Sequence, residues 1–215
     1  MDAFEAENEF YLNAAPSRMA KFLAHAKLYE MSVGVPGNFV ELGVFRGASF
    51  SRFRKLGWLL HPDHHRKFVG FDVFGAFPNA DFAPDEPVLR TQHAAYGDRG
   101  IGRDEFLLLL RGQGLAENVE LIEGDIRETL PTYLAAHAEM SVAIANIDVD
   151  LYEPTRIAME QLFPRVPRGG IVILDDYEGF PGAKRAIDEY LAAEQRPERL
   201  AKFPFSHSPC YLIKM

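Results

Sequence analysis

Residues 142–177 constrain what this chain can fold into more than any other stretch. Val142, Ala143, Ile144, Ala145 and Ile147 form a nearly unbroken apolar run that ends in Asp148-Val149-Asp150, and Ile171 to Leu174 form a second that ends in Asp175-Asp176. Runs of this kind read as strands covered on both faces, as in a parallel sheet. Between them, Pro154 to Val166 has helical period through Ile157, Met159, Leu162 and Phe163. Pro154 suits a first helical turn, and Pro167 with Gly169-Gly170 stops the helix. A strand, a crossover helix and a parallel strand make a right-handed βαβ unit, so both strand ends open on one edge of one sheet. Neighbouring strands lie about 4.8 Å apart, and residues two apart in a strand share a side. Asp148, Asp150, Asp175 and Asp176 therefore converge, which is unfavourable without a partner. The simplest partner is a hard divalent cation such as Mg2+, which prefers carboxylate and water oxygens. A lone Asp-Asp pair is more often a cap or turn former, but two acidic clusters on successive strand ends favour a site.

A second stretch points to a ligand. Asn38-Phe39-Val40 leads as a strand into Glu41-Leu42-Gly43-Val44-Phe45-Arg46-Gly47-Ala48-Ser49, after which Phe50, Phe53 and Leu56 continue as a helix. A glycine-bearing turn between a first strand and a first helix lets a ligand approach the backbone and meet the helix N-terminus. The spacing of its glycines is not that of the dinucleotide fingerprint. The next strand, Lys67 to Phe71, ends at Asp72, where an α/β nucleotide fold hydrogen-bonds ribose hydroxyls. A third, Val119 to Glu123, ends in Gly124-Asp125, which places Asp125 to reach an adenine amino group. Three strand ends thus define one nucleoside slot.

The remaining elements follow from period and punctuation. Ser17 to Met31 reads as a helix packed on the sheet, with a lid or dimer contact as the functional alternative. Residues 74–102 form a long loop rich in Pro, Asp and Gly, suited to a lid in which His93 and Tyr96 could touch substrate. Asp104 to Arg111, the segment that follows Thr129-Leu130-Pro131 up to Met140, and Pro181 to Glu194 read as helices. Leu200 to Phe205 and Cys210 to Ile213 are the last two strands, forming a hairpin. The expected fold is α/β and Rossmann-like, a seven-stranded mostly parallel sheet flanked by helices with its last strand antiparallel. Residues 1–36 are expected to be an N-terminal helical extension and 37–215 the ligand-binding domain.

Charge narrows the partners. With 215 residues, a net charge of -8 and a pI near 5.4, the chain is unsuited to nucleic acid or an anionic membrane surface. The N-terminus is acidic where a signal peptide is basic, no apolar run is long enough to span a bilayer, and Cys210 has no second cysteine to pair with. A cytoplasmic protein acting on a small molecule is expected.

Taken together, Glu41 to Ser49, Phe71 to Pro78, Gly124-Asp125 with Glu128-Thr129-Leu130-Pro131, Ile147 to Thr155 and Gly169 to Tyr177 resemble the macrocin O-methyltransferase (TylF-type) family of class I S-adenosylmethionine-dependent methyltransferases. The pairing of Asp-x-Asp-Leu-Tyr with Asp-Asp-Tyr is the specific part. The resemblance implies Mg2+-dependent methyl transfer from S-adenosylmethionine to a hydroxyl, commonly on a sugar of a natural product, and a homodimer or higher homo-oligomer. It also implies that Asp148, Asp175 and Asp176 hold the metal and that Asp150 is the general base. The cofactor would meet Glu41, Gly43, Phe45, Arg46, Gly47, Ser49, Asp72, Gly124, Asp125 and Asp148, with Tyr152, Glu153 and Tyr177 bordering the pocket. Val73, Gly75 and Ala76 depart from the family pattern after the second strand, Asn146 stands where a basic residue is usual, and the chain is shorter than typical members. Two rival readings use parts of the pattern. A metal-dependent glycosyltransferase would use Asp148-x-Asp150 but leave the Glu41–Gly47 turn without a purpose. A non-catalytic adenosine-binding module would leave Asp148 to Asp176 unexplained.

Overall fold

The computed structural model describes residues 2–61, 66–75 and 100–215. Most of the expected lid, including His93, Tyr96 and Ala76, lies outside the described residues. The chain opens with two helices, α1 (Ala3–Asn13) and α2 (Pro16–Met31). Helix α1, the first part of the expected helical extension, is set by a capping box: Glu5 N–H donates to Asp2 Oδ1 at 2.8 Å and Asp2 N–H to Glu5 Oε2 at 3.1 Å. It buries none of its residues.

Strands and helices then alternate: β1 (Asn38–Leu42), α3 (Ala48–Leu60), β2 (Phe68–Asp72), α4 (Arg103–Gly112), β3 (Val119–Glu123), α5 (Ile126–Ala136), β4 (Val142–Ile147), α6 (Tyr152–Leu162), β5 (Ile171–Leu174), α7 (Pro181–Ala193) and β6 (Cys210–Ile213). A 3-10 turn, Phe163–Arg165, finishes α6 where Pro164 removes an amide donor. The sheet order is β3-β2-β1-β4-β5-β6, parallel throughout except for the antiparallel pair β5 and β6.

The described residues contain six strands rather than seven. Of the expected strand Leu200 to Phe205, one residue pairs, Ala201 with Tyr211. Pro204 has no amide to offer a ladder, and Phe203 and Phe205 stack on each other, ring centroids 5.3 Å apart. The segment covers the sheet edge with side chains instead of extending it.

Alternation along the strands divides the core. Val40, Leu42, Val69, Phe71, Ala145, Ile147, Val172 and Leu174 face α5, α6 and α7, where Leu130, Leu134, Met159, Leu162 and Ile187 close one core. Phe39, Phe68, Ile144, Ile171 and Ile173 face α2, α3 and α4, where Leu28, Tyr29, Phe50, Phe53, Phe106 and Leu110 close the other. Each such side chain fully removed from water contributes about 1.5–3 kcal/mol before entropy is counted. The second core is aromatic: Phe39 lies with its centroid 4.7 Å from Phe53 and 5.2 Å from Phe68.

Candidate active site

The strand order reverses between β1 and β4, which open to opposite sides of the sheet, and ligands of open α/β sheets bind in the crevice at such a switch point. The turn after β1 makes that crevice close-fitting. Gly43 has φ +88, and a Cβ there would lie 1.7 Å from the Asp148 carbonyl oxygen. Its amide donates to Phe71 O at 2.9 Å, and Asp148 N–H donates to Leu42 O at 2.9 Å. The glycine turn and the acidic tip of β4 are therefore backbone neighbours, which only a residue without a side chain permits. Gly47, φ +78, leads into α3, and a Cβ there would meet the Phe106 ring at 2.4 Å. No side chain caps α3, so its first amides are available to a ligand. Phe45 and Arg46, also expected at the cofactor, sit exposed on this turn.

Beneath the turn lies a buried polar floor. Glu41 is fully buried on β1, and its register partner Asn146 is fully buried on β4. Ser49 Oγ donates to Glu41 Oε1 at 2.5 Å. Glu41 Oε2 and both amide atoms of Asn146 have no hydrogen-bond partner among the described residues. Burial pushes the Glu41 carboxyl up to about 8, and Ser49 and the adjacent Asn146 pull it back only in part. Buried polar atoms left without a protein partner at a switch point are the kind that a polar ligand, directly or through water, satisfies.

Two expected nucleoside contacts are engaged otherwise. Asp72 Oδ2 accepts from Val44 N–H at 2.7 Å and Phe45 N–H at 2.8 Å, and Oδ1 accepts from Phe74 N–H at 2.9 Å. Three of the roughly four acceptor positions of this carboxylate thus hold the glycine turn in place. Asp125 caps α5 by accepting from Arg127 N–H at 2.8 Å and pairs with the Arg127 guanidinium, Nη2 to Oδ2 at 2.6 Å. The guanidinium lowers the Asp125 carboxyl below its ordinary value. Gly124, φ +136, donates its amide to Asp72 O at 2.9 Å and joins these two tips.

The acidic tips meet, with a different division of labour from the expected one. One carboxylate oxygen each from Asp148, Asp150 and Asp176 lie within 4.8 Å of one another. Asp150 has φ +61, a turn that re-aims it after the strand ends. Its amide and that of Val149 donate to Asp176 Oδ2 at 2.8 Å and 2.9 Å. Asp175, expected as a metal ligand, stands outside this group. Its Oδ2 accepts from Lys21 Nζ of α2 at 2.6 Å, and Lys21 also lies 3.8 Å from Asp148 Oδ2. Asp175 follows Ile171 and Ile173, whose side chains lie on the side that α2 covers, and Lys21 of α2 meets it there. Burial, then Asp175, raises the Asp148 carboxyl well above its ordinary value. Burial, then Asp148, does the same to Asp176. Lys21 itself is lowered by burial but raised more by Asp148 and Asp175, and its net shift is upward.

Oxygen donors alone, three of them within reach of one centre, fit a hard divalent cation, and the buried Asp175 Oδ1 beside them has no partner. Lys21 was not singled out by the sequence, because nothing in α2 marks which residue meets a strand end about 150 positions away. Tyr152, Glu153 and Tyr177, expected at the pocket border, are occupied on the helical side. Tyr152 Oη donates to Glu189 at 2.6 Å, Glu153 accepts from Arg156 at 2.6 Å, and Tyr177 Oη donates to Asp188 at 2.8 Å.

Comparison with known proteins adds to this geometry. The family model for macrocin-O-methyltransferase (TylF) matches residues 15–204. The chain is 32% identical over 160 residues to the 8-demethyl-8-(2,3-dimethoxy-alpha-L-rhamnosyl)-tetracenomycin-C 4'-O-methyltransferase of Streptomyces olivaceus, covering 73% of this chain and 59% of that protein. It is 33% identical over 162 residues to demethyldecarbamoylnovobiocin O-methyltransferase of Streptomyces niveus, covering 74% and 59%. The chain therefore spans about three fifths of the length of these curated relatives. Among solved structures, the calicheamicin methyltransferase CalS11 superposes with a TM-score of 0.82 at 29% identity, covering 99% of this chain and 86% of that one.

Proposed function

Because the chain belongs to the macrocin O-methyltransferase (TylF) family, we propose that it transfers a methyl group from S-adenosylmethionine to a hydroxyl of a small glycosylated natural product, with the help of a divalent cation such as Mg2+. The observation that carries this reading is the meeting of Asp148, Asp150 and Asp176 within 4.8 Å of one another directly against the Gly43 turn. A methyl-donor slot and a cation-bound hydroxyl must be neighbours for in-line transfer, and these two features share a backbone contact.

When bound, the sulfonium cofactor supplies the methyl group, and the cation lowers the pKa of the acceptor hydroxyl as a Lewis acid. The chain's own residues do the rest. Gly43 and Gly47 keep the turn low enough for a ligand to approach the backbone, and Asp72 fixes the turn through Val44 and Phe45. Asp148 and Asp176 would hold the cation, with Asp175 as a further candidate. Asp150, half-buried at the same centre, either accepts the acceptor's proton or completes the ligand set. The proton-acceptor role is the one proposed, since Asp150 stands within the same close group as the two carboxylates that would hold the cation and the acceptor hydroxyl. Fixing both reactants in one crevice supplies much of the acceleration. Residues 37–215 would form the methyltransferase domain, with α1 and α2 as the extension beside it. The tetracenomycin relative named above acts, by its name, on a rhamnosyl-bearing compound, which supports that acceptor class. A glycosyltransferase reading leaves the family match without an explanation.

Calorimetric titration with S-adenosylhomocysteine, followed by methyl-transfer assays on rhamnosylated and related acceptors with and without chelator, tests the proposal. Binding of the cofactor product and loss of turnover in chelator are expected. Absence of any binding would overturn the cofactor assignment, and full turnover in excess chelator would overturn the metal.

A further inference from the structure

Helix α2 delivers a lysine into the acidic crevice. Lys21 Nζ lies 2.6 Å from Asp175 Oδ2 and 3.8 Å from Asp148 Oδ2, and the three side chains are only 20%, 10% and 26% exposed. Asp148 is shared: it belongs both to this ion pair and to the Asp148, Asp150 and Asp176 group. We infer that Lys21 is a built-in counter-ion that holds Asp175 out of the divalent cation's ligand set and thereby weakens and tunes cation binding. This inference rests on the metal reading above.

Geometry and charge carry the argument. Asp175 and Asp176 are chain neighbours, yet only Asp176 joins the close group, and the residue that holds Asp175 away is Lys21. The second oxygen of Asp175 is buried without a partner, so the carboxylate retains coordinating capacity that its position leaves unused. Lys21 Nζ lies 3.8 Å from Asp148 Oδ2, so a cation that Asp148 would help hold carries charge of the same sign as that ammonium, and like charges close together in a partly dry crevice repel. The other cations near this face, Arg18 and Arg52, form no ion pair with the cluster among the described residues; Arg52 Nη1 instead lies 3.0 Å from His25 Nδ1. Lys21 is thus placed both to neutralise part of the cluster before the cation arrives and to oppose the cation once it is there. Because α2 carries the lysine, cation affinity is tied to how firmly this helix is docked.

Mn2+ is the probe, followed by the paramagnetic resonance signal of the free ion, with no cofactor or acceptor present. Wild type, Lys21→Met and Lys21→Arg are compared. Removing one unit charge beside a carboxylate site is expected to tighten Mn2+ binding about tenfold or more in Lys21→Met, while Lys21→Arg stays near wild type. Should Lys21→Met fail to fold, Lys21→Gln keeps a donor for Asp175 and carries the same expectation. Binding by wild type with no gain in the neutral variants overturns the counter-ion role and leaves the metal reading intact. Absence of Mn2+ binding by every protein overturns the metal reading and this inference with it.

Discussion

Glu41→Gln isolates one buried proton. Glu41 is fully buried, and burial raises its carboxyl from 4.5 to about 8, against the partial opposition of Ser49 and Asn146. In the unfolded chain the same group ionises near its ordinary value. Between roughly pH 4.5 and 8 the folded protein therefore holds a proton that the unfolded chain has released. Stability falls with rising pH wherever the folded state binds more protons, here by about 1.4 kcal/mol per pH unit. The fall begins above the unfolded pKa and flattens above the folded one. From pH 5.5 to 7.5 the loss is about 3 kcal/mol, a large share of a typical domain's stability. Glutamine keeps the shape and cannot ionise, so subtracting the variant from wild type cancels every other titrating group. Urea titrations followed by far-UV circular dichroism at pH 5.5, 6.5 and 7.5 give the difference directly. Relative to wild type, Glu41→Gln is expected to gain about 3 kcal/mol across that range. A difference that stays constant with pH would refute the protonated Glu41.

Three further outcomes are expected. Gly43→Ala places a Cβ 1.7 Å from Asp148 O at φ +88 and should cost about 2–4 kcal/mol in thermal or urea unfolding; an unchanged midpoint would contradict the close approach of β1 and β4. Asp150→Asn should lower kcat by about 10²–10⁴ while calorimetric affinity for S-adenosylhomocysteine stays near wild type, and equal losses in both would assign Asp150 to binding rather than proton transfer. Because the Asp148 and Asp176 carboxyls are raised well above their ordinary values by burial and mutual repulsion, cation binding should release protons. Titrations of Mn2+ in buffers of different ionisation enthalpy should then give different apparent heats, and identical heats would count against the raised carboxyls.

Much of the fold was written in local pattern. The apolar runs of β4 and β5, the helical period between them and the Pro and Gly stops are properties of neighbours in sequence, and the right-handed crossover converts them into one edge with acidic tips. The same holds for the glycine turn, since a strand, Gly43, Gly47 and a helix follow one another without interruption. The start of helix α1, which the expected helical extension left unspecified, was also legible, in the Asp2 to Glu5 capping box. The failure at Leu200 to Phe205 has a local cause as well: Pro204 removes a ladder donor that the apolar composition did not reveal.

What the sequence could not decide was which groups face one another across elements. Asp175 and Asp176 are neighbours in the chain, yet only the docking of α2 gives Asp175 the Lys21 ammonium as its partner. Asp72 and Asp125 were rightly placed at strand ends, but whether each carboxylate faces a ligand or a protein amide depends on backbone distances set by the β1 turn and the α5 cap. Charge pairing and proton affinity depend on separations of a few ångströms and on loss of water. Those are fixed when helices pack on a sheet, whereas residue order fixes only the sheet, the helices and the edge on which they open.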